Sequence, residues 1–351
     1  MRALLVLLVA LCAGCVSSDV VRGRLHYGMD DAPEGQRLLW PAAPEVPRYA
    51  YTGTLVGEPN FRREGSTGMA AFGRWLVGLD AASEAPRVLQ RPSVVLGDDA
   101  GRLYVSDTSR QAVFVFDERA GELLLWDMAE GQRRFAAPSG LALAPGRLFV
   151  ADADLAAVFV LDLKGQPLAR FGHGLLQRPT GLARDAASGQ IYVADTQAHD
   201  IKVFSDGGEL LHVIGRRGTG PGEFNFPTHL AFAGGELYVT DTLNNRVQVF
   251  GAGGQLVTRQ FGERGLQLGN LVRPKGVAVD GEGNVYVVES YYDSLLVFSP
   301  RGEFLLPIGG TGTATGRFYL PAGVWVDGRN RVHVADMFNG RVVTFQFLGG
   351  S

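Results

Sequence analysis

The sequence predicts an all-β fold, a six-bladed β-propeller of four-stranded blades closed by an N-terminal strand, with one short helix before the first blade. Three observations predict it. The 48 glycines are spread along all 351 residues rather than gathered in a linker, which implies many turns and short strands. One segment pattern recurs six times in the same register. The alternating run that the last copy lacks stands ahead of the first.

The repeat is read most directly from its acids. Six strand-like segments end in one: "LYVSD" at Asp107, "LFVAD" at Asp152, "IYVAD" at Asp195, "LYVTD" at Asp241, "VYVVE" at Glu289 and "VHVAD" at Asp336. Nine residues beyond each acid a second alternating segment closes on Phe116, Leu161, Phe204, Phe250, Phe298 or Phe345. Before each acid runs a Pro-led segment, with prolines at 92, 138, 179, 227, 274 and 321, so successive copies are 41 to 48 residues apart. That spacing, with three to four strand signals per copy, is the signature of propeller blades. A tight Gly turn and a fourth apolar run follow in the first five copies. The sixth has none before Ser351, and "RYAYTGTLVGEPNF", residues 48–61, has the form of the missing passage. Pairing it with the last blade would leave no open sheet edge.

The chain accordingly divides into residues 1–14, a lipoprotein signal peptide; 15–47, a tether rich in Pro and polar residues; 48–61, the ring-closing strand; 62–90, a connector with a short helix; and 91–348, the propeller. The helix is expected because Phe72, Trp75, Leu76 and Leu79 fall at i, i+3, i+4 and i+7.

The N-terminus, "MRALLVLLVALCAGC", has one basic residue and an apolar run too short to span a bilayer comfortably, the pattern of an export signal. Its end resembles a bacterial lipobox, which implies diacylation of Cys15. Cys12 stands where lipoboxes carry an aliphatic residue, and Val16, where Asp would signal inner-membrane retention, implies an outer-membrane protein facing the periplasm. The two cysteines, Cys12 and Cys15, both lie here, so no disulfide is expected in the propeller. A formal charge of −3 and the lack of a Lys/Arg run argue against a nucleic-acid groove.

The repeats resemble NHL repeats, best in the fourth copy, "FPTHLAFAGGELYVTDTLNNRVQVF", and over residues 91–348 as a whole. NHL propellers include an amidating lyase domain as well as RNA-binding and protein-binding modules, so the resemblance implies a fold and leaves the activity open.

Six equivalent acids suit six equivalent structural jobs, in which each carboxylate accepts N–H groups of the turn after it, better than one asymmetric reaction site. Candidate binding residues are therefore sought where copies deviate, on the face formed by the Pro-led segments and the loops after the acids. Arg91, Arg178, His199, Asn244, Asn245 and Asn339 lie there. His229 replaces the Gly of four other copies (Gly140, Gly181, Gly276, Gly323; Val94 in the first) beside the central channel, and Lys275 is nearby. A zinc lyase of the amidating type would need further ligands at those positions, and they supply none. Tyr291, Tyr292, Asp293 and Phe338 break the small polar habit of the loops, and the aromatics of adjacent blades five and six are expected to cluster as an anchor for a protein or sugar. No catalytic set, phosphate loop, cofactor motif or spaced calcium-binding acid set is recognisable. The sequence thus predicts a non-catalytic, membrane-tethered binding or scaffold protein for an envelope protein or glycan, with no metal and no cofactor; the alternative is a metal-dependent lyase or lactonase with its site at the channel mouth.

Overall fold

The computed structural model describes residues 20–28, 38–62, 86–251, 253–254 and 257–349. In them six antiparallel sheets form a ring whose inner strands are Pro92–Gly97, Pro138–Ala144, Pro179–Arg184, Pro227–Ala233, Pro274–Val279 and Val324–Val326. Blade four is representative. Its strands, from the channel outward, are Pro227–Ala233, Glu236–Asp241, Arg246–Phe250 and Val257–Phe261.

Each middle strand is apolar on both sides because each side meets another blade. Leu237 and Val239 pack into the layer shared with blade three, and Tyr238 between them packs into the layer shared with blade five. Successive side chains of a strand point to opposite faces, so one segment serves two interfaces. Six such layers fill the spaces between adjoining blades. The six aromatic or leucine residues nine positions beyond the acids are all buried in them.

Tyr49–Leu55 is the fourth strand of the last blade, as expected. It pairs with Arg341–Phe347 from Phe347↔Tyr49 to Val342↔Leu55. The Tyr49 hydroxyl is 3.0 Å from that of Tyr286 in blade five, which in turn donates to Asp280, so the closing strand is also tied sideways.

The stretch expected to be a free tether, 15–47, is docked over part of its length. Val21–Arg22 adds a fifth strand to the outside of blade one, opposite Glu122 and Leu123. Arg24–Leu25 pairs with Phe61–Arg62, and Leu39–Trp40 extends blade six beyond the closing strand. Val21 and Leu25 are buried in the layer that also holds Leu55, Leu89 and Phe116, and Trp40 packs edge-on against Phe345 at 5.3 Å. The composition is polar, but two apolar residues suffice to seat a strand on an otherwise open edge. Cys15, the signal segment and the expected helix over Phe72–Leu79 lie outside the described residues.

The glycine after the Pro-x of each inner strand has a steric reason. A Cβ on Gly181 would lie 2.5 Å from the Thr228 carbonyl oxygen of the next blade, and one on Gly140, Gly276 or Gly323 would meet the next inner strand as closely. Neighbouring inner strands touch backbone to backbone there. Gly181→Ala should therefore lower stability by about 1–3 kcal/mol in urea unfolding. Gly281→Ala, in a turn with no atom near its Cβ, should be close to neutral.

Candidate functional site

The repeat acids are fully buried and hold the blades' upper ends together. Asp107 accepts the N–H groups of Gln90 (2.6 Å) and Arg91 (3.0 Å) with one oxygen, and those of Ser109 (3.0 Å) and Arg110 (2.9 Å) with the other. Asp152 does the same with Ala136, Ala137, Asp154 and Leu155. The carboxylate thus binds the turn after it and, unforeseen in the sequence, the chain entering its own inner strand. Glu289 reaches Val272, Arg273 and Tyr291. In the remaining blades side chains replace the turn amides: Lys202 on Asp195 (2.8 Å), Asn244 (2.8 Å) and Arg246 (2.9 Å) on Asp241, and Asn339 and Arg341 (both 2.8 Å) on Asp336. Burial pushes the carboxyls of Asp241, Glu289 and Asp336 above their usual range, against the pull of these donors.

A second sixfold feature lies four residues beyond each acid. Gln111, Ala156, His199, Asn245, Asp293 and Gly340 all have φ between 51° and 61°, the left-handed turn conformation. Four of their side chains reach the next blade. Gln111 donates to the Ala136 carbonyl, His199 Nδ1 accepts the Phe226 N–H, Asn245 donates to the Val272 carbonyl, and Asp293 Oδ1 accepts the Leu320 N–H at 2.6 Å. Asp293 also takes the Thr311 hydroxyl at 2.8 Å and is buried. Both its oxygens are used within the fold. His199 and Asn245 are stitches of the same kind, whereas Asn244 and Asn339 bond the acid of their own blade and the carbonyls of Gly218 and Gly312 in the connector that enters it.

The aromatics do not form one cluster as expected. Tyr291 and Tyr292 pack edge-on to each other at 5.1 Å, with the Tyr292 hydroxyl donating to the Gly265 carbonyl (3.3 Å). Phe338 packs edge-on with Tyr319 at 5.7 Å, under the guanidinium of Arg91 at 5.0 Å. Arg178 is paired with Asp154. Tyr291 and Phe338 are nevertheless about half exposed, and the sequence reading missed their company. Phe226, Leu243, Leu266, Leu268 and Tyr319 are also exposed on this face, Leu266 and Leu268 at 90% and 76%. All belong to blades four to six. The signal was present as apolar residues in connectors otherwise built of Gly and polar residues.

His229 and Lys275 lie on the walls of the channel mouth, half-buried, on adjoining blades. Desolvation holds the His229 imidazole down to about 3, with Lys275 adding repulsion. Burial likewise lowers the Lys275 ammonium, and Arg273 adds to it. Deeper in the channel the inner strands enclose a cavity of about 340 Å³ with a mainly aliphatic wall that includes Phe232 and Trp325. Its charged lining residue, Arg184, is clamped by Asp206 at 2.7 Å. Among the described residues no three His, Cys, Asp or Glu side chains are grouped as metal ligands would be.

A family model described as a 6-bladed beta-propeller matches residues 184–261, and one described as a beta-propeller repeat matches residues 258–288. The chain is a six-bladed β-propeller. Solved structures agree in fold. An auxiliary nutrient binding protein from Bacteroides thetaiotaomicron is similar at 13% identity and a TM-score of 0.59, over 75% of this chain and 70% of that one. A catalytically inactive virginiamycin B lyase from Staphylococcus aureus with quinupristin is similar at 11% and 0.55, over 74% and 95%. A chain of a nidogen/laminin complex is similar at 18% and 0.54, over 71% and 88%. No curated protein sequence matches significantly. At these identities the likeness extends to the fold alone.

Two outcomes follow for this propeller. Asp241→Ala leaves the buried Arg246 guanidinium without its carboxylate and should cost about 3 kcal/mol in urea unfolding. His229 is neutral in the fold, so below pH 6.5 the unfolded chain takes up a proton there that the folded chain does not until about pH 3. Stability from this group is full above pH 6.5 and falls through that window. His229→Gln should therefore lose less stability than the wild type between pH 7 and 4, measured as thermal midpoints.

Proposed function

We propose that this is an NHL-type propeller, lipid-anchored at Cys15 in the outer membrane and facing the periplasm, that binds an envelope partner without catalysis through the loop face of blades four to six. The observation that carries this reading is the concentration of exposed Phe226, Leu243, Leu266, Leu268, Tyr291, Tyr319 and Phe338 on that face. Surface patches of this composition are where proteins take partners, since large side chains supply most interface energy. The repeat acids and left-handed turn residues are occupied by the fold and are not available for chemistry.

The docked strand at Val21–Arg22 alters the anchor's geometry. Only residues 16–20 separate Cys15 from it, a span of about 20 Å at full extension, so the acyl chains would hold the outer edge of blade one close to the bilayer. Blade four, across the ring, would stand farthest from it.

Capture from solubilised envelope with wild type and with Tyr291→Ala/Phe338→Ala should differ by the loss of the specific partner; identical captured sets would refute the face. Cys15→Ser should abolish acyl labelling and membrane retention, and persistent labelling would refute the anchor.

A further inference from the structure

Lys275 is a deviation at the channel mouth whose charge the described residues leave unanswered. The residue is half-buried on the channel wall, and among the described residues it has no ion pair and no hydrogen bond; the charge that acts on it most is another cation, Arg273. Cations drawn partly out of water in a fold are ordinarily paired. The other buried cations here obey the rule: Lys202 holds Asp195 and Asp200, and Arg246 holds Asp241.

Beside it, the hydroxyls decide the state of His229. Thr242 donates to the Pro274 carbonyl (2.8 Å), so in the Thr228–Thr242 contact (2.8 Å) Thr228 is the donor. The proton in the 3.1 Å contact between Thr228 Oγ1 and His229 Nδ1 then comes from the ring. The neutral imidazole is left with an acceptor at Nε2. The mouth between blades four and five thus offers an unanswered cation and an unanswered acceptor.

The surroundings add to the cationic side. The connectors into blades four to six carry Arg216, Arg217, Arg264, Arg273 and Arg317, with Lys275 just inside, against Glu223 and Glu263. Arg216 and Glu223 pair with each other. Leu266 and Leu268 project from the connector that leads to Arg273, and Leu243 from the neighbouring loop. These aliphatic side chains, next to the cationic connectors, suit the apolar side chains of an acidic polypeptide.

We propose that the partner of this face is an acidic polypeptide segment, one of whose carboxylates seats against Lys275 while a neighbouring backbone N–H meets His229 Nε2 and its apolar residues cover Leu243, Leu266 and Leu268. This rests on the binding reading above and names the chemistry of what is bound. The carboxylate supplies the missing counter-charge, and Arg273 and Arg264 steer it.

The test uses fluorescein-labelled peptides of repeating Glu-Leu-Ser and of Gln-Leu-Ser, with an oligogalacturonate as a carboxylated glycan. The expected result is that the Glu peptide binds about tenfold or more tightly than the Gln peptide, that Lys275→Met removes this preference, and that Arg329→Ala on the opposite face changes nothing. Equal binding of the two peptides, binding of neither, or tighter binding of the oligogalacturonate would each overturn the proposal. If Glu-peptide binding is insensitive to Lys275 but is lost in Tyr291→Ala/Phe338→Ala, the binding face stands and the carboxylate seat fails.

Discussion

The whole architecture rests on one pairing, that of Tyr49–Leu55 with Arg341–Phe347. Each blade buries both of its faces only because it has a neighbour on each side, so a row of six blades without closure would leave two faces and two strand edges open. Bringing residues near the two ends of the chain together has an entropic cost, but that cost grows only with the logarithm of the loop length. The gain is a full inter-blade layer. The docking of Val21–Leu25 and Leu39–Trp40 over the same seam reinforces the place where the ring is joined.

Within the ring, the upper face is built by polar groups rather than by apolar packing. The repeat acids fasten each inner strand to the end of the second strand of its own blade, and four of the six left-handed turn residues fasten their loop to the blade that follows. The carboxylates are expensive where they sit: desolvation raises Asp241, Glu289 and Asp336 in spite of their donors. A buried ion pair such as Asp241–Arg246 contributes little net stability beside apolar residues of equal volume, yet removing one partner is costly. The arrangement specifies geometry, holding the loops rigid enough for a face to be presented on them.

That rigidity makes deviations informative. Where a repeat position is set by sterics, as at Gly181 against the Thr228 carbonyl, a different residue in one blade must find room of its own, and His229 finds it at the channel mouth. Lys275, one residue beyond its blade's proline, faces the same space without a counter-charge. The exposed leucines and aromatic residues of blades four to six lie in connectors whose backbone is held by the same network.

The sequence by itself determined the number of blades and the positions of the six acids, because each depends on a pattern of near neighbours repeated six times, and it showed the closing strand as the run that the last copy lacks. Tertiary structure alone decided the rest. The Pro-x-Gly glycine is required by a backbone in the next blade, Asp293 is consumed by an amide 27 residues away, and the polar stretch before residue 48 is seated by Val21 and Leu25 against blade one. None of these contacts has a local periodicity. Whether a side chain such as Lys275 is answered or left for a partner is a property of the space between blades, and a linear pattern does not encode it.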